Sequence, residues 1–119
     1  MASVPILRQR GYLIATLQAA ITDHEAEQLQ AELMGQVTSY RARGVIIDVT
    51  VLDVLDSFAA RTLRIIAHTT RLRGAHTVLV GVQPEVAWAM VRLGVSMEQV
   101  HTALDLEEGL TFLDTLLRH

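Results

Sequence analysis

A hydroxyl, three carboxylates and a run of guanidinium groups fall within one segment, Asp48 to Arg71, and they bound the chemistry open to this chain. Ser57 stands between the apolar run Val45–Val49 and an amphipathic segment. That is a strand-loop-helix junction, the place where open α/β folds carry their functional groups. Two roles fit the position. Ser57 can cap the helix, with Asp56 competing for the same place. It can also accept a phosphoryl group, because phosphate at a helix N-terminus meets unpaired backbone N–H groups and the positive end of the helix dipole, while Asp53 and Asp56 oppose the added charge. These effects partly cancel within the domain, so the modification changes the surface offered to a partner more than it changes stability.

Other chemistries for the same residues are less well supported. Asp48, Asp53 and Asp56 can be read as a carboxylate cluster for Mg²⁺, or Asp48 as a receiver-type phospho-acceptor at a strand end. The receiver reading needs an acidic pair after an early strand and a lysine late in the chain, and this chain has neither. The simpler reading makes the aspartates caps of turns and of the helix. A hydrolase needs a base held against Ser57. His24, His68, His76, His101 and His119 have no spacing that recommends any one of them, and no G-x-S-x-G elbow is present. The absence of lysine removes a Walker A loop and Schiff-base chemistry, and the absence of cysteine removes thiolate nucleophiles and disulfides. No catalytic residue, metal or cofactor is assigned.

Beyond Ser57, Arg61, Arg64, His68 and Arg71 recur every three or four residues on one helix face. Such a stripe is ordinarily a solvated face, but beside a phosphosite it can also dock an acidic patch of another protein. Trp88 and Met90, on a later helix, suit core or assembly contacts, and only one of them need be buried.

The elements that position these residues follow from periodicity. Val4–Leu7 and Tyr12–Leu17, separated by Arg8–Gly11, predict a β-hairpin. Thr22 and Glu25 have capping-box spacing before Ala26, Leu29, Leu33, Val37 and Tyr40, which predicts a helix stopped by Gly44. Val45–Val49 is a β-branched run suited to a central strand covered on both faces. A helix over about 57–73 follows, with Ala59, Leu63, Ile66 and Thr70 inward and Gly74 closing it. Thr77–Val82 predicts a strand, Pro84–Leu93 a helix, residues 99–102 a short strand, and Asp105 with Glu108 the cap of a last helix carrying Leu106, Leu110, Leu113 and Leu117. The expected fold is α/β: a mixed, mostly parallel sheet with an N-terminal antiparallel hairpin, flanked by about four helices.

At 119 residues, 50% hydrophobic and 19% charged, the chain is expected to form one domain, 1–119, with no linker. A net charge of −3 argues against nucleic acid as a partner. No apolar run approaches the roughly 20 residues that span a bilayer, so a cytoplasmic location away from membranes is expected.

Pro5-Ile6-Leu7, Tyr12-Leu13-Ile14, Gly44–Asp48, Asp56-Ser57-Phe58, Gly81–Pro84 and Thr102–Leu110 together resemble the STAS domain, the anti-anti-sigma fold, and within it the RsbS scaffolds of the bacterial stressosome. That resemblance implies a non-enzymatic scaffold that sequesters an RsbT-type serine kinase and assembles, with itself and with RsbR-type STAS paralogues, into a large stressosome. Phosphorylation of Ser57 would release the kinase, with Thr50 a secondary site and Asp53, Asp56, Phe58, Arg61 and Arg64 forming the partner-binding surface. One feature departs from ordinary anti-anti-sigma factors: Ser57 is followed by Phe58-Ala59, where those factors usually carry Ser-Ser-Gly or Ser-Thr-Gly after the aspartate. The departure favours the scaffold over the alternative, a stand-alone anti-sigma antagonist regulated by serine phosphorylation.

Overall fold

The computed structural model describes residues 4–18, 21–95 and 100–118. Strand β1 (Ile6–Gln9) pairs antiparallel with β2 (Tyr12–Thr16). The hairpin turn is Arg10-Gly11, with φ of 56° and 81°. Two consecutive positive φ values suit the right-handed twist of a two-residue hairpin. The turn is therefore shorter than the four polar residues suggest, and β1 runs on through Arg8 and Gln9.

After β2, α1 (Asp23–Tyr40) begins with the expected capping box: Thr22 Oγ1 accepts from Glu25 N and Glu25 Oε1 accepts from Thr22 N. Its end differs from expectation. Arg41 takes the left-handed conformation at φ 51°, and Ala42 N–H donates to Val37 O at 3.2 Å, so the helix stops before Gly44. Gly44 instead opens β3 (Gly44–Asp48). A Cβ there would lie 2.7 Å from Leu113 Cδ1 and 3.0 Å from Tyr12 Cδ1, so any other residue would have to push these side chains aside.

The chain continues through α2 (Ser57–Leu72), β4 (His76–Val80), α3 (Pro84–Arg92), β5 (His101–Ala103) and α4 (Leu106–Leu117). The last strand overlaps the expected 99–102 region but runs from His101 to Ala103, and residue 99 is outside the described residues. The strand order is β1-β2-β3-β4-β5, parallel from β2 onward, which makes β3 central. Because each parallel connection steps the same way across the sheet, right-handed crossovers bring α1, α2 and α3 to one face. Leu13, Val45, Ile47 and Leu79 pack there with Leu33, Leu63 and Ile66. The alternate residues Ile14, Ile46, Val78 and Val80 face α4 through Leu110 and Leu113. This alternation explains the unbroken apolar character of β3 and β4, since both faces are covered.

On α2 the inward residues are Ala60, Thr62, Leu63, Ile66, Ala67 and Thr70, and Ala59 is only half-buried. The buried Thr70 hydroxyl is satisfied by Ile66 O at 2.7 Å and by the Thr77 hydroxyl at 2.9 Å, joining helix to strand.

Candidate functional site

Among the described residues, the four parallel strands all end at one edge of the sheet, and the four helices begin there. The loop from Asp48 to Asp56 crosses this edge. Leu52 and Leu55 are buried and anchor it, while Val51 before them and Asp53 and Val54 between them are exposed. The anchored loop borders a small apolar cavity of about 40 Å³ against Leu17, Leu29, Ala59 and Leu63.

At the end of this loop the competition between two cap-competent residues is resolved. Asp56 is the N-cap of α2, and its Oδ1 accepts from Ala59 N at 2.8 Å. Ser57 is consequently the first helical residue. Its side chain is exposed and its hydroxyl has no hydrogen-bond partner among the described residues. Division of labour follows: the aspartate satisfies the helix end and leaves the serine free.

Thr50 stands in a different environment. Its hydroxyl donates to Asp48 Oδ1 at 2.6 Å, and its N–H donates to the same oxygen at 2.9 Å. Gln83 Nε2 donates to Thr50 O at 2.6 Å, tying this loop to the start of α3. Gly81, at φ 74°, lies directly beneath; a Cβ there would overlap Thr50 Oγ1 and come within 3.0 Å of the Thr50 Cα. Sequence reading missed this lock. The signal was the run Gly81-Val82-Gln83-Pro84, whose glycine and glutamine have meaning only once β4 lies beside β3.

Phe58 is half-buried, and the Arg61 guanidinium carbon is 5.8 Å from its ring centroid. Arg61 and His68 are exposed, and Arg64 is half-buried with its Nε enclosed and unpaired among the described residues. With Ile65 and Thr69 these side chains line a groove of about 420 Å³ along α2. The structure thus brings Asp53, Asp56, Ser57, Phe58 and Arg61 together around the start of α2, while Arg64 lies a turn further on and Arg71 at the far end of the helix. Of the pair on α3, Met90 is buried and Trp88 is 68% exposed. No three His, Asp or Glu side chains among the described residues are grouped to hold a metal ion, and Asp48 already accepts twice from Thr50.

The model of the STAS domain family matches residues 3–109. This chain belongs to the STAS domain family. Its five-stranded mixed sheet and four helices are the fold expected from the sequence. A curated relative, the RsbT co-antagonist protein RsbRA of Bacillus subtilis, is 31% identical over 97 residues, which is 82% of this STAS domain but 35% of the relative. The chain therefore spans about a third of that relative's length. A serine-to-glutamate variant of RsbS from Moorella thermoacetica superposes with a TM-score of 0.89 at 32% identity, covering 99% of this chain and all of that one. A structure described under the molecular architecture of the stressosome, a signal integration and transduction hub, superposes with a TM-score of 0.84 at 33% identity, covering 97% of this chain and 100% of that chain.

Proposed function

We propose that this STAS domain is a non-enzymatic scaffold and antagonist of the stressosome type. It holds an RsbT-type serine kinase and releases it when Ser57 is phosphorylated, and it assembles with copies of itself and with RsbR-type paralogues in the cytoplasm. The observation that carries this reading is the exposed Ser57 hydroxyl at the first turn of α2, without a hydrogen-bond partner among the described residues, in a chain that matches RsbS along almost its whole length. A phosphoserine there adds about −1.5 to −2 charges. Exposed helix N–H groups favour the phosphate and Asp53 and Asp56 oppose it, so the domain stays folded while its docking surface changes.

The kinase is held over Asp53, Asp56, Phe58 and Arg61 beside the acceptor and over Arg64 a turn further along α2. Thr50 is the secondary site. Its hydroxyl is committed to Asp48, so a kinase must break that bond before transfer, which makes Ser57 the first site modified. The reading is tested by immobilising the protein, loading it with an RsbT-type kinase, and adding ATP. Wild type is expected to release the kinase on ATP addition, and Ser57→Ala to retain it. Equal release from both, or capture of an anti-sigma factor in place of the kinase, would overturn it.

A further inference from the structure

The edge opposite Ser57 is rich in arginine. Arg10 in the hairpin turn, Arg41 and Arg43 between α1 and β3, and Arg118 after α4 line a hollow of about 340 Å³ with Tyr12 and Tyr40. Arg8 stacks on the Tyr40 ring at 3.9 Å, and Arg71, Arg73 and Arg92 continue the edge at the ends of α2 and α3. These are eight of the ten arginines in the chain. Asp114 is the carboxylate placed among them. It takes Arg10 at 3.0 Å and the Tyr12 hydroxyl at 2.7 Å, and this is the one ion pair among the described residues.

Carboxylates collect at the other edge. Asp48, Asp53 and Asp56 lie in the loop before α2, and Asp23, Glu25, Glu85, Glu107 and Glu108 lie in first helical turns. The topology accounts for part of this, because every helix starts at the acidic edge and ends at the basic one, and side chains of these signs offset the helix dipole. That offset is too small to consume the charge. Four helix ends supply about −2 at the basic edge, against eight arginines and one aspartate there. The edges are also separate fields: five-residue strands put them roughly 17 Å apart, about twice the Debye length at physiological salt.

We propose that the arginine edge is a docking surface for the carboxylate edge of a second copy of this chain, giving head-to-tail association. The positive charge spreads from the hairpin turn to the end of α3 and is not confined to the hollow. Its footprint therefore fits a broad acidic surface, and a surface of that breadth and sign is present on the chain itself. Guanidinium groups suit this contact because they grip carboxylates through two parallel N–H bonds. The contact is heterologous, so each copy keeps one edge free and association propagates unless a ring closes or a different partner caps it. The inference concerns charge at the two edges and stands whether or not Ser57 is phosphorylated.

The test is sedimentation of the full chain at low and high salt, with circular dichroism to confirm folding. Wild type is expected to self-associate at 50 mM salt and to weaken by about tenfold or more at 500 mM. Arg41→Glu/Arg43→Glu makes the basic edge four charges less positive, and Glu85→Arg/Glu107→Arg makes the acidic edge four charges less negative. Each is expected to self-associate about tenfold or more weakly than wild type, and the two to associate when mixed, through the edge that each keeps unchanged. Monomeric wild type at low salt, association indifferent to salt, or variants that self-associate like wild type would overturn the proposal. So would an arginine edge whose reversal abolishes only the binding of pyrophosphate, used as a small-anion probe.

Discussion

Replacing Asp56 and Ser57 one at a time separates the residue that holds the helix from the residue left available for chemistry. Asp56→Ala removes the bond to Ala59 N, formed at 2.8 Å, and a carboxylate from the positive end of α2. Loss of an N-cap costs about 0.5–2 kcal/mol, and the lost charge-dipole attraction lies within that range for an exposed site. At this chain length about 1 kcal/mol corresponds to roughly 4 °C in Tm. Ser57→Ala removes a hydroxyl that bonds to no described residue and substitutes a better helix former, so the change is expected to stay within about 0.5 kcal/mol. Asp56→Asn keeps the accepting oxygen and is expected to recover most of the loss. Urea unfolding of the three variants with wild type, read by circular dichroism, gives the comparison. A silent Asp56→Ala beside a Ser57→Ala costing 1 kcal/mol or more would assign the cap to Ser57 and remove the argument that its hydroxyl is free.

Three further outcomes are expected. Gly81→Ala places a side chain at φ 74° and against Thr50, so it adds left-handed strain of about 1 kcal/mol and forces Thr50 from Asp48, lowering Tm by several degrees; an unchanged Tm in thermal melts would contradict the lock. His76 and His101 are held below the usual imidazole pKa of 6.5, first by burial and then by Arg71. The unfolded chain therefore binds more protons just below that value, and stability, full above pH 6.5, is lost as the pH falls through the window towards the folded values. His101→Asn is expected to flatten this part of the pH profile, and an unaltered slope in urea titrations between pH 7 and 5 would refute it. Trp88, the only tryptophan, is 68% exposed, so its fluorescence should be red-shifted and readily quenched by acrylamide; a shielded, blue-shifted spectrum would contradict the placement of α3.

What sequence could reveal divides along contact range. The Thr22–Glu25 box, the Asp105 cap and the alternating faces of β3 are local patterns, and periodicity or three-residue spacing was enough to place them. Asp56 and Ser57 were a tie, because both are good caps and only the phase of the first turn of α2 decides between them. Gly44 was misassigned for a different reason. Its neighbours Leu113 and Tyr12 are remote in sequence, so a glycine packed closely against α4 looked like a helix stop. The Gly81–Thr50 lock and the arginine edge were hidden in the same way. Each is assembled from segments brought together only when the strands pair in order, and none has a spacing that marks it. The candidate site was legible as a serine among aspartates; that its hydroxyl is left free was not.

The central claim is that Ser57 is the phospho-acceptor, and mapping phosphate by mass spectrometry after incubation with an RsbT-type kinase and ATP tests it most directly. Wild type is expected to carry phosphate on Ser57 first, with any Thr50 modification slower, and Ser57→Ala to lose that early incorporation. Phosphate that accumulates at the same rate in Ser57→Ala, or that appears first on Thr50, would contradict the account.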